Sequence, residues 1–285
     1  MMAAISRPVP SATAVHPLLQ KLLSGPIPAV MGVLNVTPDS FSDGGDFLEP
    51  EHALVQAQRL VAEGADIIDI GAESTRPYGG AKPVGADEEM ARLRPVLAEI
   101  IKLGVPVSID SMKPDVTAFA LDAGAVIAND VWGLQRDNRM ASLVARRGVP
   151  VIIMHNRDYA DPAIDIMKEI ATFFAHSLDI AAKAGVPSGH IVLDPGIGFG
   201  KTPEQSMIAL ARLDQLTRFG LPLLVGASRK RFIASVSPSE PQNRLGGSIA
   251  AHLIAAKAGA RIIRTHDVAD TVQALKVAAA IRDQG

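Results

Sequence analysis

The sequence predicts a single (β/α)8 (TIM) barrel, because short apolar runs and amphipathic helical patterns alternate eight times along it. The runs are rich in β-branched residues and apolar on both faces, as expected for parallel strands buried on both sides. Eight such units in about 250 residues match the usual size of this barrel. A doubly wound open sheet is the alternative, but it usually has fewer strands and a G-x-G-x-x-G fingerprint after the first strand, which this chain lacks.

The predicted strands are separated by helical segments that end in turn-forming residues. Two of these segments are "ADEEMARLRPVLAEIIKLG" and "DIMKEIATFFAHSLDIAAKAG", and each ends in glycine, a common helix terminator. The tripeptide "GVP" precedes three of the strands. The predicted strands are residues 29–36, 66–72, 105–111, 125–131, 149–155, 190–196, 221–228 and 260–266.

The composition predicts a soluble globular protein with a large core, since 48% of the 285 residues are hydrophobic and 20% are charged. The net charge of −2 argues against a nucleic-acid binder, which normally has a basic excess. The absence of cysteine excludes disulfides, thiolate zinc sites and cysteine nucleophiles. Because no apolar run has the length of a membrane span, we expect a cytoplasmic protein with no membrane partner.

Residues 1–25 form a predicted N-terminal arm, and residues 26–285 form the barrel domain. The arm lacks the continuous apolar core of a secretory signal. Its first 17 residues include no acidic residue and only one basic residue, Arg7, so an organellar transit peptide is one alternative. The interpretation that we favour is a disordered tail.

Every predicted strand ends in polar residues, which is the main functional signal in the sequence. In a (β/α)8 barrel these ends converge on one face, where active sites are built. A scaffold needs only one or two such groups, for capping the helices that follow. The polar residues at the strand ends are Asn35, Asp69 with Glu73, Asp110, Asn129 with Asp130, His155, Asp194, Ser228 with Arg229 and Lys230, and Arg264 with His266.

Several of these residues also have a structural interpretation. Asp69 and Asp130 are candidates for ion pairs at the barrel rim, and Asp110 is a candidate cap for the helix that follows it. Asp194 is a candidate turn residue, and Met154, which closes an apolar strand, is a candidate core residue. Their collection on one predicted face favours a binding site.

The run "DPGIGFGK" after the sixth strand resembles a phosphate loop but fails the test for one. It lacks both the G-x-x-x-x-G-K-[ST] spacing of a P-loop and the G-x-G-x-x-G spacing of a dinucleotide fold. Glycines at 196, 198 and 200 indicate that a flat group approaches the backbone closely, with Phe199 as one wall.

Two cationic groups follow the seventh and eighth strands, where barrels often bind phosphate. They are "SRKR" (228–231) and "RTH" (264–266). Alternation along a strand places Arg264 and His266 on the same side. The alternative is a solvated basic patch, but both groups lie on the predicted active face, so we expect an anionic, phosphate-bearing ligand.

The acceptors and the cations together suggest one ligand with two different ends. A carboxylate accepts two parallel N–H bonds from a guanidine-like edge, so Asp110, Asn129 and Asp194 suit an amino-pyrimidine. The cations suit a diphosphate. Mg²⁺ usually accompanies a diphosphate and takes few protein oxygens, and Asn35 and the aspartates of the loop after it are candidate ligands.

The order of these motifs resembles that of the dihydropteroate synthase family. The specific segments are "GVLNVTPDSFSDGG", "DPGIGFGKT", "GASRKRF" and "IIRTHDV", and "ADIIDIGAESTRP" also matches. The resemblance runs from about residue 30 to about residue 270. It implies a pterin-binding barrel that joins 6-hydroxymethyl-7,8-dihydropterin diphosphate to p-aminobenzoate, giving 7,8-dihydropteroate and diphosphate, with Mg²⁺ as cofactor. It also suggests a homodimer through the last helices.

The resemblance implies a role for individual residues, of which Asp43, Lys230, Arg264 and His266 are the implied catalytic group. Arg264 is expected to stack on the pterin ring and, with His266, to hold the diphosphate. The implied site residues are Asp110, Asn129, Met154, Asp194, Phe199, Lys230, Arg264 and His266 for the pterin diphosphate, Phe41, Thr75, Pro77 and Arg231 for the aminobenzoate, with Thr75 also near the diphosphate, and Asn35 and Asp43 for Mg²⁺.

Three residues depart from the family pattern. Ala72 stands where a second Gly is usual, Asn156 where Met is usual, and Arg231 where Ser is frequent. An arginine at the last position is still able to bind the aminobenzoate carboxylate. Two rival functions are a pterin-dependent methyltransferase acting on a corrinoid protein and a pterin-binding paralogue without catalysis. The cationic groups argue against the methyltransferase, because a methyl donor needs no diphosphate site.

Overall fold

The computed structural model of the protein describes residues 14–37, 49–73 and 84–284, and it contains a closed barrel of parallel strands. The strands are β1 (Ala29–Asn35), β2 (Ile67–Gly71), β3 (Val107–Asp110), β4 (Ile127–Asp130), β5 (Val151–Met154), β6 (Ile191–Asp194), β7 (Leu223–Val225) and β8 (Ala260–Thr265). Each strand pairs with its neighbours in sequence, and β8 closes the ring against β1. The predicted (β/α)8 barrel is confirmed, although the strands are shorter than predicted. Three of them, β3, β5 and β7, begin after a proline-containing dipeptide, because proline has no N–H to donate to a neighbouring strand.

Helices connect the strands on the outside of the barrel, and among the described residues none is long and apolar enough to cross a membrane. The predicted cytoplasmic location stays a prediction. The helices are α1 (Pro17–Leu22), α2 (Glu49–Ala62), α3 (Ala86–Leu93), α4 (Leu97–Ile101), α5 (Pro114–Ala123), α6 (Arg139–Arg147), α7 (Ile166–Ala184), α8 (Pro203–Ala211), α9 (Arg231–Val236), α10 (Leu245–Lys257) and α11 (Val268–Arg282).

Local sequence signals explain where the helices begin and end. α7 begins after Asp165, whose side chain accepts the backbone N–H groups of Met167 and Lys168, and ends at Gly185, where φ is 84° and glycine is favoured. α8 begins with a capping box in which Thr202 and Gln205 exchange side-chain to backbone hydrogen bonds. This cap fixes the point at which the glycine-rich run after β6 turns into a helix.

The interior of the barrel has an apolar level at the amino-terminal ends of the strands. Its residues are Ala29, Met31, Ile67, Ile127, Ile152, Val192, Leu224 and Ile262. Because side chains alternate along a strand, residues two positions further on face the same interior. This second level, nearer the carboxyl ends, includes Val33, Asp69, Asn129, Met154, Asp194, Gly226 and Arg264. The barrel interior therefore changes from an apolar level to a largely polar level over two residues of each strand.

Helix α1 covers the amino-terminal end of the barrel, where the sequence predicted part of a disordered arm over residues 1–25. Leu19 is buried against the apolar level inside the barrel, and His16 caps the start of the helix. Arg261 of β8 donates hydrogen bonds to two backbone carbonyls just after the helix. The structure therefore differs from the prediction over this stretch, since a six-residue helix is too short to show a periodic pattern. Residues 1–13 lie outside the described part of the chain.

Candidate active site

Polar side chains from several strands meet in one cleft at the carboxyl end of the barrel. Asp110 ends β3 and is the register partner of Asn129 on β4, and Asp194 ends β6 beside Met154 of β5. The expected convergence of these strand ends is present. The cleft is lined by Asp110, Asn129, Val131, Met154, Asp194, Gly196, Ile197, Phe199, Gly226, Lys230 and Arg264.

Arg264 of β8 bridges two carboxylates across this cleft. Its Nε donates to Asp69 Oδ2 at 2.6 Å, and its Nη2 donates to Asp110 Oδ2 at 2.8 Å. The ion pair predicted for Asp69 is therefore confirmed. The cap predicted for Asp110 is wrong, because α5 has no side-chain cap and the carboxylate binds arginine instead.

Asp130 does not form the ion pair that the sequence suggested. Its carboxylate accepts the backbone N–H groups of Trp132 at 2.9 Å and of Leu134 at 2.7 Å. It is buried, and this burial raises its pKa to about 6, although the two N–H groups oppose the rise. Asp130 therefore shapes the loop after β4 and takes no part in the cleft.

Three buried acceptor atoms in and behind the cleft have no hydrogen-bond partner among the described residues. They are Oδ1 of Asp69, Oδ1 of Asp110 and Oδ1 of Asn129. The amide nitrogen of Asn129 donates to Asp69 Oδ2 at 3.0 Å. A buried acceptor without a partner costs roughly 1–3 kcal/mol, so the cluster favours a ligand that brings N–H donors.

Burial raises the pKa of two carboxyl groups that line the cleft. The pKa of Asp110 is raised to about 7, first by burial and then by the charge of Asp69, against the lowering effect of Arg264. The pKa of Asp194 is raised to about 6 by burial, although the Gly196 N–H that it accepts at 2.7 Å lowers it. Ligand N–H donors would favour the ionised form of both groups.

The glycine-rich run after β6 forms one wall of the cleft. Gly196 has φ of 63°, and a Cβ there would lie 2.0 Å from the carbonyl oxygen of His155, so only glycine fits. The Nζ of Lys230 lies 4.0 Å from the centroid of the Phe199 ring, a cation–π contact. At Gly196, therefore, the group that lies close to the backbone is the carbonyl of His155, just after β5. Phe199 lines the cleft, as expected.

Lys201 is a buried residue of this wall whose contacts the sequence did not reveal. Its Nζ lies 2.6 Å from His155 Nδ1 and donates to the carbonyl oxygens of Gly196 at 2.9 Å and Phe199 at 3.1 Å. Burial lowers the pKa of Lys201 well below its usual value, and burial with the nearby lysine lowers the pKa of His155 as well. One amine thus ties the end of β5 to the glycine-rich wall.

The cationic groups after β7 and β8 are only partly directed at the cleft. Lys230 and Arg264 line it, whereas Arg229 pairs with Asp267, with 3.0 Å between Nε and Oδ2. Burial, together with the charge of nearby Arg264, lowers the pKa of His266 to about 3. The expectation of a cationic His266 is therefore corrected, since a neutral imidazole contributes hydrogen bonding rather than charge.

The remaining predicted site residues are placed only in part. Asn35 is the last residue of β1 and is partly exposed at the carboxyl end, and Arg231 is the exposed first residue of α9. Within the described ranges, no group of three or more His, Cys, Asp or Glu side chains is arranged to hold a metal ion. The predicted residues that lie outside the described ones are Phe41, Asp43, Thr75 and Pro77.

Two of the departures from the family pattern lie outside the lining of the cleft. Ala72 is buried, and its carbonyl oxygen accepts a hydrogen bond from Arg92 at 2.8 Å. Asn156 lines a separate cavity of about 360 Å³ beside the loops after β4 and β5. Neither residue therefore alters the groups that line the cleft.

Comparison with known proteins identifies the family. The sequence profile of the family described as Pterin binding enzyme matches residues 31–266. The dihydropteroate synthase of Bacillus subtilis (strain 168) is 44% identical over 260 residues, which cover 90% of this chain and 89% of that protein.

Solved structures agree with this comparison. The dihydropteroate synthase of Xanthomonas albilineans with 4-aminobenzoic acid is 43% identical, has a TM-score of 0.86, and the match covers 90% of this chain and 93% of that one. The same organism's enzyme in complex with 7,8-dihydropteroate is 41% identical, with a TM-score of 0.83 and coverage of 90% and 94%. The chain therefore belongs to the pterin-binding enzyme family and, within it, to the dihydropteroate synthases.

Proposed function

We propose that the protein joins 6-hydroxymethyl-7,8-dihydropterin diphosphate to p-aminobenzoate, forming 7,8-dihydropteroate and diphosphate. The observation that carries this proposal is the pairing, in one cleft, of buried acceptors with two cations. The related Xanthomonas albilineans enzyme has been solved with 4-aminobenzoic acid and with 7,8-dihydropteroate, which supports the same substrates here.

The acceptors suit the donor-rich edge of the pterin. Asp194, ionised, accepts two parallel N–H bonds from the amino-pyrimidine. The free oxygens of Asn129 and Asp110 accept further ring N–H groups. Met154 and Phe199 supply apolar contact for the faces of the ring, since both line the cleft.

The cations suit the diphosphate at the other end of the substrate. Lys230 and Arg264 supply the positive charge in this proposal, and His266 adds hydrogen bonding. In the structure the guanidinium of Arg264 binds both Asp69 and Asp110. In this proposal it releases Asp110 when the ligand binds, and it then contacts the diphosphate. The N–H donors of the pterin edge take the place of the guanidinium at Asp110.

Asn35 and Asp43 are the proposed Mg²⁺ ligands. Asn35 is the last residue of β1 and is partly exposed, at the same end of the barrel as the cleft. Oxygen ligands of this type fit Mg²⁺, which takes one or two protein oxygens and completes its shell with phosphate and water. When bound, Mg²⁺ supplies positive charge that stabilises a diphosphate leaving group.

The proposed chemistry is a stepwise displacement. The bond between the pterin CH2 carbon and the diphosphate oxygen breaks, and its electron pair leaves with the diphosphate. The electron-rich dihydropterin stabilises the resulting carbocation. The p-aminobenzoate nitrogen then donates its lone pair to that carbon and loses a proton to water, so no strong general base is needed. Lys230 and Arg264 promote the first step by stabilising the departing charge.

The aminobenzoate pocket remains a proposal based on the family resemblance. Phe41, Thr75 and Pro77 are its proposed apolar and polar walls, and Arg231 is the proposed partner of the carboxylate. The exposure of Arg231 at the start of α9, directly after Lys230, supports a position at the rim of the cleft.

We also propose a homodimer formed by the later helices. α10 packs against both α8 and α11, and these helices expose large apolar side chains. Monomeric proteins rarely expose extended apolar surfaces unless these are covered by a partner. The exposed side chains are Ile208, Leu245, Ile254, Val277 and Ile281.

One assay separates the proposed function from its rivals. The protein is supplied with the pterin diphosphate and Mg²⁺, and diphosphate release is measured with and without p-aminobenzoate. Release that depends on p-aminobenzoate supports the synthase. Binding without release would favour a non-catalytic paralogue, and methyl transfer from methyl-tetrahydrofolate without diphosphate binding would favour the methyltransferase.

A further inference from the structure

We propose that Asp69 is a positioning residue, which fixes the direction in which Asn129 and Arg264 present their polar atoms to the ligand. This inference deepens the proposed function and rests on it, because the ligand concerned is the pterin edge. Asp69 is not among the residues that the family resemblance assigns to the site.

Asp69 lies behind the cleft rather than in its wall. It is fully buried on β2, whereas Asn129 and Arg264 are among the described residues that line the cleft. Both of these side chains donate to the same oxygen, Oδ2 of Asp69, at 3.0 Å and 2.6 Å. Asp69 therefore touches the two side chains that meet the ligand, and it acts through them.

The contact decides which way the amide of Asn129 faces. An ionised carboxylate only accepts hydrogen bonds, so the NH2 group of Asn129 must turn toward Asp69. The amide oxygen then points the other way, and it has no partner within the described part of the chain. Without a carboxylate behind it, no hydrogen bond would favour this orientation of the amide over the reverse one. Asp69 thus makes Asn129 an acceptor for the donor edge of a pterin.

The same carboxylate anchors the guanidinium of Arg264. Nε binds Asp69 while Nη2 binds Asp110, so the planar group is held at two points. When a ligand replaces the contact to Asp110, the contact to Asp69 still holds the guanidinium. The arginine therefore remains oriented toward the cleft during binding.

Two cations lie close to the buried carboxylates of this cluster. The charged groups that face Asp110 are Asp69, Arg264, Glu89 of α3 and Lys230. Asp69 is the second cause, after burial, of the raised pKa of Asp110, and Arg264 opposes it. The two cations thus offset the buried negative charge that the orientation of Asn129 requires.

The test is an exchange of the two side chains. Asn129→Asp places two carboxylates against each other, so one of them must take up a proton or be repelled. Adding Asp69→Asn restores an NH2 donor opposite a carboxylate, and the other oxygen of the new aspartate again faces the ligand. The measurement is the dissociation constant of the pterin diphosphate, by calorimetry without p-aminobenzoate.

We expect Asn129→Asp to weaken binding roughly 10- to 100-fold at about pH 8, with the loss growing as the pH rises. Asp69→Asn also removes the acceptor of Arg264 Nε, because that nitrogen binds the same oxygen. We therefore expect Asp69→Asn to cost at least about tenfold less binding in the Asn129→Asp protein than in the wild type, and the double variant should lose the added pH dependence. The matched control is Asp66→Asn, the same change near the other end of β2, where the carboxylate accepts only the Val30 N–H among the described contacts. That control should leave pterin binding unchanged.

The inference is overturned if Asp69→Asn costs as much binding in the Asn129→Asp protein as it does in the wild type. Should Asn129→Asp fail to fold, Asn129→Ala replaces it. Asp69→Asn must then cost less binding in the Asn129→Ala protein than in the wild type, and equal costs overturn the inference. If the wild-type protein itself does not bind the pterin diphosphate, the proposed function fails, and the two failures are therefore distinguishable.

Discussion

Arg264 and Asp110 are joined by a hydrogen-bonded ion pair of 2.8 Å, although they lie on strands β8 and β3, which are not neighbours in the barrel. The guanidinium therefore binds a carboxylate that is proposed to bind the pterin. Asp110 therefore has two alternative partners, the guanidinium and the ligand.

Replacing Asp110 should mainly affect pterin binding. Asp110→Asn removes the charge that accepts a ring N–H, so we expect affinity for the pterin diphosphate to fall roughly 10- to 100-fold. Calorimetry without p-aminobenzoate measures this directly. The control is Asp115→Asn, the same change at an exposed position on α5, which should leave affinity unaltered. Unchanged affinity in Asp110→Asn would remove this residue from the site.

Pterin affinity should depend on pH through the two raised carboxyl pKa values. Asp110 with a pKa of about 7 and Asp194 with a pKa of about 6 must be ionised to accept ligand N–H groups. Affinity for 6-hydroxymethylpterin, which has no diphosphate to titrate, should therefore fall as the pH drops through about 7 and then about 6. In Asp110→Asn only the lower step should remain. An affinity for 6-hydroxymethylpterin that does not change between about pH 5 and pH 8 would contradict the roles of Asp110 and Asp194 in binding the ring.

The stability of the ligand-free protein should respond to pH in the opposite direction. A carboxyl group with a raised folded-state pKa stabilises the fold most below its unfolded pKa, here 3.8, and this contribution is lost as the pH rises through about 6 to 7. Urea unfolding across this range checks the sign. The pH dependence should be smaller in Asp110→Asn than in the wild type.

Lys201→Met tests the buried amine that ties the glycine-rich wall to β5. Two carbonyl oxygens lose their donor and His155 Nδ1 loses its partner, so the free energy of unfolding should fall by about 1–3 kcal/mol and pterin binding should weaken. The control is Lys183→Met, whose side chain is 75% exposed and pairs only on the surface, with an expected change below about 0.5 kcal/mol. Equal stability of the two variants in urea would show that the buried amine does not hold the wall.

The strand ends show why much of this site could be predicted from sequence. Asp110 and Asn129 follow consecutive apolar runs, and consecutive parallel strands of a barrel are neighbours, so the pattern alone places them side by side. The apolar level and the largely polar level follow from the same alternation.

Other features depend on contacts that no local pattern encodes. The bridge from Arg264 to Asp69 joins residues 195 positions apart, and the burial of Lys201 depends on how the glycine-rich wall folds back on β5. The neutral state of His266 follows from its burial beside arginine, which a cationic motif does not reveal. Helix α1 was not predicted, because the burial of Leu19 depends on its contact with the barrel interior and not on a local sequence pattern.

The proposed homodimer predicts a mass of two chains in solution. Ile254 is 54% exposed on α10, so Ile254→Asp should place a charge in the interface and shift the protein toward a monomer in analytical ultracentrifugation. Val126→Asp is the control, since Val126 is 36% exposed just before β4, which lies opposite β8 in the ring of strands. A wild-type protein that sediments as a monomer would contradict the proposed dimer.

A stepwise displacement predicts exchange of oxygen atoms within the bound diphosphate. The label is placed in the oxygen that joins the pterin CH2 carbon to the inner phosphorus. Reversible cleavage should distribute this label among the oxygens of the inner phosphate before net turnover. Mass spectrometry of recovered substrate checks this. The absence of scrambling, together with simple second-order dependence on the amine, would favour a concerted displacement instead.

The most direct test of the account is the stoichiometry of the reaction itself. Purified protein is given the pterin diphosphate, p-aminobenzoate and Mg²⁺, and both diphosphate and 7,8-dihydropteroate are quantified. We expect the two products to form one to one, and omission of p-aminobenzoate to abolish dihydropteroate formation and nearly all diphosphate release. Diphosphate release without dihydropteroate, or no reaction in a protein that binds both substrates, would contradict it.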